Sequence, residues 1–358
     1  MKKTIIHIID SLGRGGAEIM LVELQKDLSE SYDIVLVTLN NILDFEPDEF
    51  KYKKKYCLNY HSLKDLPLAV LRLKKIIRMH KPVLIRTDLF LSTIIGRLSC
   101  PENIPLIFCV HSIISKDAFD KNRLALYTEK LTYKKRHVLL AVSEAVLNDY
   151  KKNIPIKGKS FVLNNFINNN FFNQKYSFKI NSQGKISLIA VGNLKEAKNY
   201  EFLLETIQQI KGKVAVTLDI IGEGELATKL QKMIDKNDLP VKLLGKKLNI
   251  YKLLPWYTAF IMCSHHEGFG NAPAEAMAIG LPLILNDTTS MKEMSKGNAF
   301  YFESNSHKSL GQLLMSLKDR KEELLLFSEK GKIIANKHYT KEKYLDRLLD
   351  IYKEVIAN

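Results

Sequence analysis

Residues 259–287 read AFIMCSHHEGFGNAPAEAMAIGLPLILND, and this stretch decides the fold. It begins with an apolar run of strand length at residues 259–264, which a glycine-bearing turn follows. Pro273 stands where the first residue of a short helix is expected, and Gly280 stands just past its end. The run at 282–287 then predicts a second buried strand. Strands joined by a helical crossover pair in parallel, which indicates an α/β sheet.

The same alternation of strands and helices runs along the whole chain of 358 residues. An asparagine-rich stretch that begins near Asn164 interrupts the alternation and is expected to be a linker. The alternation then resumes. The pattern therefore predicts two Rossmann-like doubly wound domains, residues 1–168 and 169–340, followed by a terminal helical segment, residues 341–358. Ligands of open α/β sheets bind beyond the carboxyl ends of the strands, so we expect the two domains to face each other across a cleft.

Composition narrows the classes of function. The chain is 46% hydrophobic with a formal net charge of +15, and its longest apolar runs fall short of the roughly 20 residues that a membrane span needs. His7 and Asp10 interrupt the apolar N-terminal run, which indicates a first strand rather than a signal peptide and predicts a cytoplasmic protein. The charge suits an anionic small substrate, an anionic membrane or nucleic acid. We expect no nucleic acid partner, because no RNA-binding aromatic motif or zinc finger is present.

Two acids flank the predicted helix that starts at Pro273. Glu267 lies on the preceding turn, and Glu275 would be the third helical residue. Helix N-terminal amides attract phosphate, and Gly268 and Gly270 allow a ligand to approach the backbone closely.

One reading of Glu275 is a capping box, but the N-cap candidates Ala272 and Asn271 lack the reciprocal Ser or Thr. A carboxylate in this position can instead accept hydrogen bonds from sugar hydroxyls. Two acids around an anion-binding helix end suit a sugar nucleotide.

Glu267 and Glu275, with seven residues between them, resemble the EX7E motif of retaining GT-B glycosyltransferases, particularly family 4. Four further segments are similar to motifs of that family in the same order. They are GGAE at residues 15–18, VHS around His111, AVSEA at 141–145 and VGNLKEAKN at 191–199.

The resemblance implies roles for individual residues. His111, Glu267 and Lys198 would be catalytic. His111 would lie close to the transferring sugar, and Lys198 would bind the donor diphosphate, because its ammonium is a movable point charge. Asn193 stands where the family usually has an arginine, so donor affinity would rest more on Lys198 and the helix amides. The implied donor-binding residues are Gly15, Gly16, Asn193, Lys198, Glu267, Gly268, Phe269, Gly270, Asn271 and Glu275.

The resemblance also implies that the terminal helix, residues 341–358, crosses back to join the first domain, and it implies a reaction. The protein would be a hexosyltransferase of class 2.4 that moves a sugar from a nucleotide-sugar, UDP- or GDP-linked, to a hydroxyl of a glycan or lipid-linked acceptor. The setting would be synthesis of bacterial surface polysaccharide (capsule, O-antigen or lipopolysaccharide). Retention of configuration would follow from same-face attack. Two alternatives stay open, a sugar-nucleotide epimerase of the same fold and a non-catalytic protein that binds glycans or membranes.

Metal and dinucleotide sites are not expected, and no cofactor is predicted besides the donor. The chain contains no Asp-x-Asp pair, and the adjacent His265 and His266 would point in opposite directions on a strand end. The loop SLGRGGAE opens a helix after a strand, but Glu18 takes the place of the third glycine of a dinucleotide fingerprint.

The segment LPLAVLRLKKIIRMHK, residues 66–81, is basic and amphipathic. It predicts a crossover helix that covers the sheet, or a surface that docks on an anionic membrane carrying the acceptor. The second interpretation would place the protein at the inner face of the plasma membrane.

Overall fold

The computed structural model describes residues 2–46, 49–120, 122–174, 176 and 185–357. The chain forms two compact units. Unit 1 comprises Met1–Phe166 with Glu342–Asn358, and unit 2 comprises Ile167–Lys341. The observed boundary precedes the expected one by two residues. Much of the asparagine-rich stretch expected to be a linker, residues 175 and 177–184, lies outside the described residues.

Unit 1 is built on a seven-stranded parallel sheet in the order β3-β2-β1-β4-β5-β6-β7. The central strands are apolar along most of their length because helices cover both faces. The strands are β1 Lys3–Ile9, β2 Tyr32–Thr38, β3 Lys54–Cys57, β4 Leu84–Asp88, β5 Leu106–Val110, β6 His137–Ala141 and β7 Ser160–Val162.

The helices of unit 1 follow from right-handed crossovers between parallel strands. From β1 the chain continues to β2 and β3 on one side of the sheet, and from β4 it continues to β7 on the other side. The helices therefore divide between the two faces of the sheet. The helices are α1 Gly16–Ser31, α2 Leu66–His80, α3 Phe90–Ser99, α4 Ile114–Asp117, α5 Arg123–Thr132 and α6 Glu144–Asn153. The crossover helix predicted from the basic segment is α2.

Unit 2 contains a six-stranded parallel sheet in the order β10-β9-β8-β11-β12-β13. Its strands are β8 Ile186–Val191, β9 Val216–Ile221, β10 Val241–Gly245, β11 Ala259–Met262, β12 Leu283–Asn286 and β13 Phe300–Phe302. Its helices are α7 Asn169–Phe172, α8 Tyr200–Ile210, α9 Ala227–Lys236, α10 Asn271–Ile279, α11 Thr289–Ser295, α12 His307–Ser316 and α13 Lys321–His338. The prediction of two doubly wound α/β domains is confirmed.

The last helix, α14 Lys341–Ile356, packs against the sheet of unit 1. Its buried residues Tyr344, Leu348 and Ile351 share one apolar cluster with Met20 and Leu24 of α1. Among the described residues, no helix combines the length and apolarity needed to span a bilayer.

Candidate active site

The candidate site of unit 2 lies at a topological switch point. β8 and β11 are neighbours in the sheet, but the chain leaves β8 towards β9 and leaves β11 towards β12. The loops that follow these two strands therefore diverge and leave a crevice at their carboxyl ends, which is where open α/β sheets bind ligands. The segments 191–199 and 264–271, singled out in the sequence, are these two loops.

Lys198 and Glu267 meet across this crevice. The Lys198 ammonium lies 2.5 Å from Oε1 of Glu267, and the two side chains are 18% and 15% exposed. The backbone holds the loops together as well, because the amide of His265 donates to the carbonyl of Ala197 at 2.9 Å. The two predicted catalytic residues of unit 2 thus form one ion pair. Motif reasoning placed both residues at the site but did not predict their contact.

The helix at the crevice begins two residues earlier than predicted. α10 starts at Asn271, and its N-cap is Gly270 with φ 94°, a conformation that favours glycine. Pro273 is therefore the third helical residue and Glu275 the fifth, so the placement of Glu275 in the third position is wrong. The capping box is excluded too, since a glycine N-cap has no side chain to accept a hydrogen bond. The predicted end at Gly280 is correct, with φ 100°.

The remaining predicted donor residues of unit 2 lie on the same loops or on α10. Gly268 is buried, and the half-buried Glu275 projects from the second turn of α10. Phe269 is 3% exposed and packs edge-to-face on Tyr339 at 5.2 Å, which indicates a structural contribution to the loop. Asn193 follows β8 and its side chain is exposed, so it is accessible to a ligand.

Gly222 supports the loop that carries Asn193. It follows β9 with φ 150°, and a Cβ atom there would overlap the carbonyl oxygen of Gly192. The backbone of the β8 loop is therefore packed directly on the next loop.

Unit 1 has a corresponding switch point between β1 and β4. The predicted turn at Gly15 and Gly16 lies here, with Gly15 as the N-cap of α1 and Gly16 as its first residue. The Glu18 carboxylate folds back towards Gly15. Burial raises the pKa of Glu18, while the nearby His111 opposes this shift.

His111 follows β5 and is held by a buried carboxylate. Its Nε2 lies 2.9 Å from Oδ1 of Asp88, the last residue of β4. Asp88 also accepts two hydrogen bonds from Arg86, at 3.0 and 2.9 Å. Arg86 in turn donates to the hydroxyl of Tyr352 on α14 at 3.3 Å. This chain of contacts fixes the orientation of the His111 ring.

The pKa of Asp88 shows the strength of this arrangement. Burial alone would raise it, but the Arg86 guanidinium and His111 hold the pKa of Asp88 well below its ordinary value. Asp88 is therefore a carboxylate whenever unit 1 is folded at ordinary pH.

A cavity of about 300 Å³ lies next to His111 in unit 1, and Asp10 and Phe90 also line it. Oδ1 of Asp10 accepts a hydrogen bond from the amide of Ser92 at 2.8 Å. Leu89, another lining residue, has φ 77°, an unusual conformation for a leucine that is associated with functional sites.

Asp88, Cys109 and His111 offer three potential metal ligands within 4.8 Å of one another. However, Arg86 already holds both oxygens of Asp88, so a metal cation would lie against a guanidinium. Burial also raises the pKa of the Cys109 thiol well above its ordinary value, whereas metals bind the thiolate. The chemistry of this cluster suits an internal ion pair. The sequence expectation of a metal-independent enzyme stays a prediction.

Sequence reasoning missed Asp10, Arg86 and Asp88. A signal was present in the segment LIRTD, residues 84–88, where two opposite charges two positions apart share one face of an otherwise apolar strand. The predicted site residues thus divide between the units. His111, Gly15 and Gly16 belong to unit 1, and all others belong to unit 2.

Comparison with known proteins agrees with this architecture. The family model described as Glycosyltransferase Family 4 matches residues 14–171, and the model described as Glycosyl transferases group 1 matches residues 172–334. The chain is 26% identical over 310 residues to the N-acetylgalactosamine-N,N'-diacetylbacillosaminyl-diphospho-undecaprenol 4-alpha-N-acetylgalactosaminyltransferase of Campylobacter jejuni, covering 80% of this chain and 81% of that protein. It is 23% identical to the UDP-Gal:alpha-D-GlcNAc-diphosphoundecaprenol alpha-1,3-galactosyltransferase of Escherichia coli, covering 100% and 98%.

Solved structures share the fold. HepE of Anabaena, determined with UDP and glucose, superposes with a TM-score of 0.82 at 16% identity, covering 98% of this chain and all of that one. Two family models that together span residues 14–334, relatives that match along most of their length, and two doubly wound units lead to one assignment. The chain is a glycosyltransferase with the GT-B fold.

Proposed function

We propose that this glycosyltransferase retains anomeric configuration and transfers a sugar from a UDP- or GDP-linked donor to a hydroxyl of a lipid-linked glycan. The observation that carries this proposal is the Lys198–Glu267 pair, which lies where the loops after β8 and β11 diverge. In the proposed reaction, this pair would supply a cation for the leaving diphosphate beside a carboxylate that accepts hydrogen bonds from sugar hydroxyls.

The pair has a defined role in the proposed reaction. The bond between the anomeric carbon and the diphosphate breaks, and a bond from the acceptor oxygen forms on the same face. The acceptor proton passes to a diphosphate oxygen, so no protein side chain is needed as a covalent nucleophile. Lys198 stabilises the charge that develops on the leaving group, and Glu267 orients Lys198 before the donor arrives.

The other site residues support donor and acceptor. The N-terminus of α10 is the positive end of the helix dipole and can attract a phosphate oxygen. The Glu275 carboxylate, one turn further along α10, can accept hydrogen bonds from hydroxyls. On unit 1, His111 is a donor or acceptor whose ring Asp88 fixes, and it would contact the transferring sugar.

The acceptor class rests on the relatives. The Campylobacter and Escherichia enzymes are named for sugars on diphospho-undecaprenol, and a Staphylococcus aureus relative is named for capsular polysaccharide biosynthesis. We therefore propose a role in surface polysaccharide synthesis at the inner face of the plasma membrane. No cofactor or divalent metal is proposed, because Lys198 and the α10 amides can supply the positive charge that a cation would otherwise bring.

The test is transfer from a panel of UDP- and GDP-sugars to undecaprenyl-diphosphate-linked sugars, with proton NMR of the product to establish its anomeric configuration. Lys198→Met should lower kcat about 100-fold or more, the range seen when one group that stabilises developing charge is removed. Lys195→Met removes an exposed lysine three residues earlier and should leave kcat unchanged.

Three results would contradict the proposal. An inverted product would exclude retention, and loss of transfer in a chelator with recovery on adding a divalent ion would exclude metal independence. Conversion of the donor in the absence of acceptor would indicate an epimerase instead.

A further inference from the structure

A cavity between the α2, α3 and α5 helices is remote from His111. It has a volume of about 750 Å³ and lies where β5 and β6 begin, whereas His111 follows the other end of β5. The C-terminal turns of the three helices and the loop before β6 form its walls. Its charged lining residues are Lys74, Arg78, Arg97, Lys134, Arg136 and Glu102.

This cavity is strongly cationic, with five basic side chains and one acid. Arg97 is committed to the interior, since it pairs with Glu129 at 2.8 Å and stacks on Phe108 at 4.0 Å. Lys74, Arg78 and Lys134 are different, because they are exposed and have no carboxylate of the described chain within ion-pair distance. Their charge is available to an anionic partner.

Exposed apolar side chains adjoin the cations on the same three helices. α3 packs against both α2 and α5. Leu124, Tyr127 and Leu131 recur at helical spacing along the outer side of α5, and they are 63%, 63% and 80% exposed. Leu71 on α2 and Leu98 on α3 are exposed as well. We call the surface of these five residues and the cationic cavity the α2–α3–α5 face.

We propose that the α2–α3–α5 face docks on a bilayer of anionic phospholipids. Charge complementarity carries the choice of partner, because lipid phosphates match the unpaired lysines and arginine, and the leucines match the boundary between headgroups and acyl chains. A nucleic acid would satisfy the cations but leave the leucines in water. Leu98 and Leu131 line the same cavity as the exposed basic residues, so apolar and cationic side chains share one surface.

This inference deepens the proposed function by identifying how the enzyme would reach a lipid-linked acceptor. Vesicle binding needs neither donor nor acceptor, so a failure of one proposal is distinguishable from a failure of the other. The full chain should sediment with vesicles of phosphatidylcholine and phosphatidylglycerol, and markedly less with phosphatidylcholine alone. Binding should weaken as salt concentration rises.

Two pairs of variants test the face. A basic residue near an anionic surface contributes about 1 kcal/mol, which is roughly fivefold in affinity, so Lys74→Gln with Lys134→Gln should weaken vesicle binding about 25-fold. Lys232→Gln with Lys236→Gln makes the same charge change on the exposed side of α9 in unit 2 and serves as the matched control.

The leucines are tested separately. Leu131→Ser should weaken binding about tenfold, given the free energy of burying one leucine side chain. The control is Ile333→Ser on α13, where the isoleucine is 66% exposed. This variant should bind vesicles as tightly as the unsubstituted protein. Circular dichroism and transfer to a detergent-solubilised acceptor should be unchanged in all four variants, which shows that they fold.

Equal binding to both kinds of vesicle, or equal losses in the face and control variants, would overturn the proposal. So would displacement of the protein from vesicles by RNA together with an unaffected Leu131→Ser variant, since that result would identify a nucleic acid surface.

Discussion

The two units have the same type of sheet and the same type of switch point, but they place charge there differently. In unit 2 the Lys198–Glu267 pair is partly open to solvent, between two loops. In unit 1 the Arg86–Asp88 pair belongs to strand β4, and its side chains are only 3% and 1% exposed. The first pair can exchange partners with a ligand, whereas the second is committed to the protein.

This difference suggests a division of labour. A partly exposed ammonium such as that of Lys198 can stabilise a transient charge if a ligand replaces its carboxylate partner. A buried ion pair cannot make that exchange without a large desolvation penalty, so its use is to orient a neighbour such as His111. Four predictions test this contrast, in order of decreasing effect.

The sharpest test removes one cation from each unit. Arg86→Met leaves Asp88 buried without its guanidinium, so we expect unit 1 to lose about 3–5 kcal/mol of stability. Lys198→Met should cost unit 2 less, about 1–2 kcal/mol, because its pair is partly solvated. Hydrogen exchange measured by mass spectrometry reports the two units separately. Equal losses would show that the pairs do not differ in kind.

Gly222→Ala tests whether the unit 2 site depends on backbone packing. The new Cβ would overlap the carbonyl oxygen of Gly192 at an unfavourable φ of 150°, so we expect a loss of about 2–3 kcal/mol in unit 2 and weaker donor binding. Gly212→Ala has φ 80° with open space around the Cβ, and it should cost about 1 kcal/mol without affecting the donor. Thermal unfolding with and without nucleotide measures the loss of stability and the weakening of donor binding. A harmless Gly222→Ala would mean that the β8 loop is free to move.

The stability of unit 1 should depend on pH because of its buried titratable groups. His7 is fully buried near Arg86 and Tyr352, and burial lowers its pKa from 6.5 to about 3. Between these values the unfolded chain binds a proton that the folded chain does not, so stability falls as pH falls below 6.5.

At pH 5 the loss attributable to His7 is about 2 kcal/mol relative to neutral pH. His7→Gln should flatten the pH dependence of unit 1 by this amount and leave that of unit 2 unchanged. Unfolding followed by hydrogen exchange at several pH values measures the difference. An unchanged slope would show that His7 is not the group responsible.

The smallest effect should come from Asn193→Arg, which restores the arginine usual at this position of the motif. A charge-assisted hydrogen bond to the diphosphate would tighten nucleotide-sugar binding by up to about tenfold. Asn193→Gln keeps the amide and serves as the control, and calorimetric titration with UDP and GDP gives both affinities. Tighter binding by the control alone would show that side-chain length, rather than charge, limits affinity.

Much of the fold was predictable from the sequence, because alternating strands and helices leave few topologies for a parallel sheet. Helix α2 was predicted to within one residue of its observed bounds, and the strand before Glu267 was predicted to within two. The start of α10 was wrong because Gly270 adopts a positive φ and begins the helix before the proline that favours a helix start. That error moved Glu275 by two helical positions.

Contacts between distant segments were harder to predict. Lys198 and Glu267 are 69 residues apart, and they meet only because β8 and β11 are neighbours in the sheet. The link from His111 to Asp88 and Arg86 depends similarly on the pairing of β4 with β5. Sequence motifs identify residues on the loops of this fold, but they do not identify the strand residues that orient them.

The position of α14 has a consequence for synthesis of the chain. Unit 2 is one continuous segment, Ile167–Lys341, so all of it leaves the ribosome before the last helix does. Unit 1 lacks Tyr352, Leu348 and Ile351 until then, and Arg86 lacks its hydroxyl partner. The unit made first is therefore completed last, and a nascent chain paused before residue 342 exposes the apolar face of its N-terminal sheet that α14 later covers.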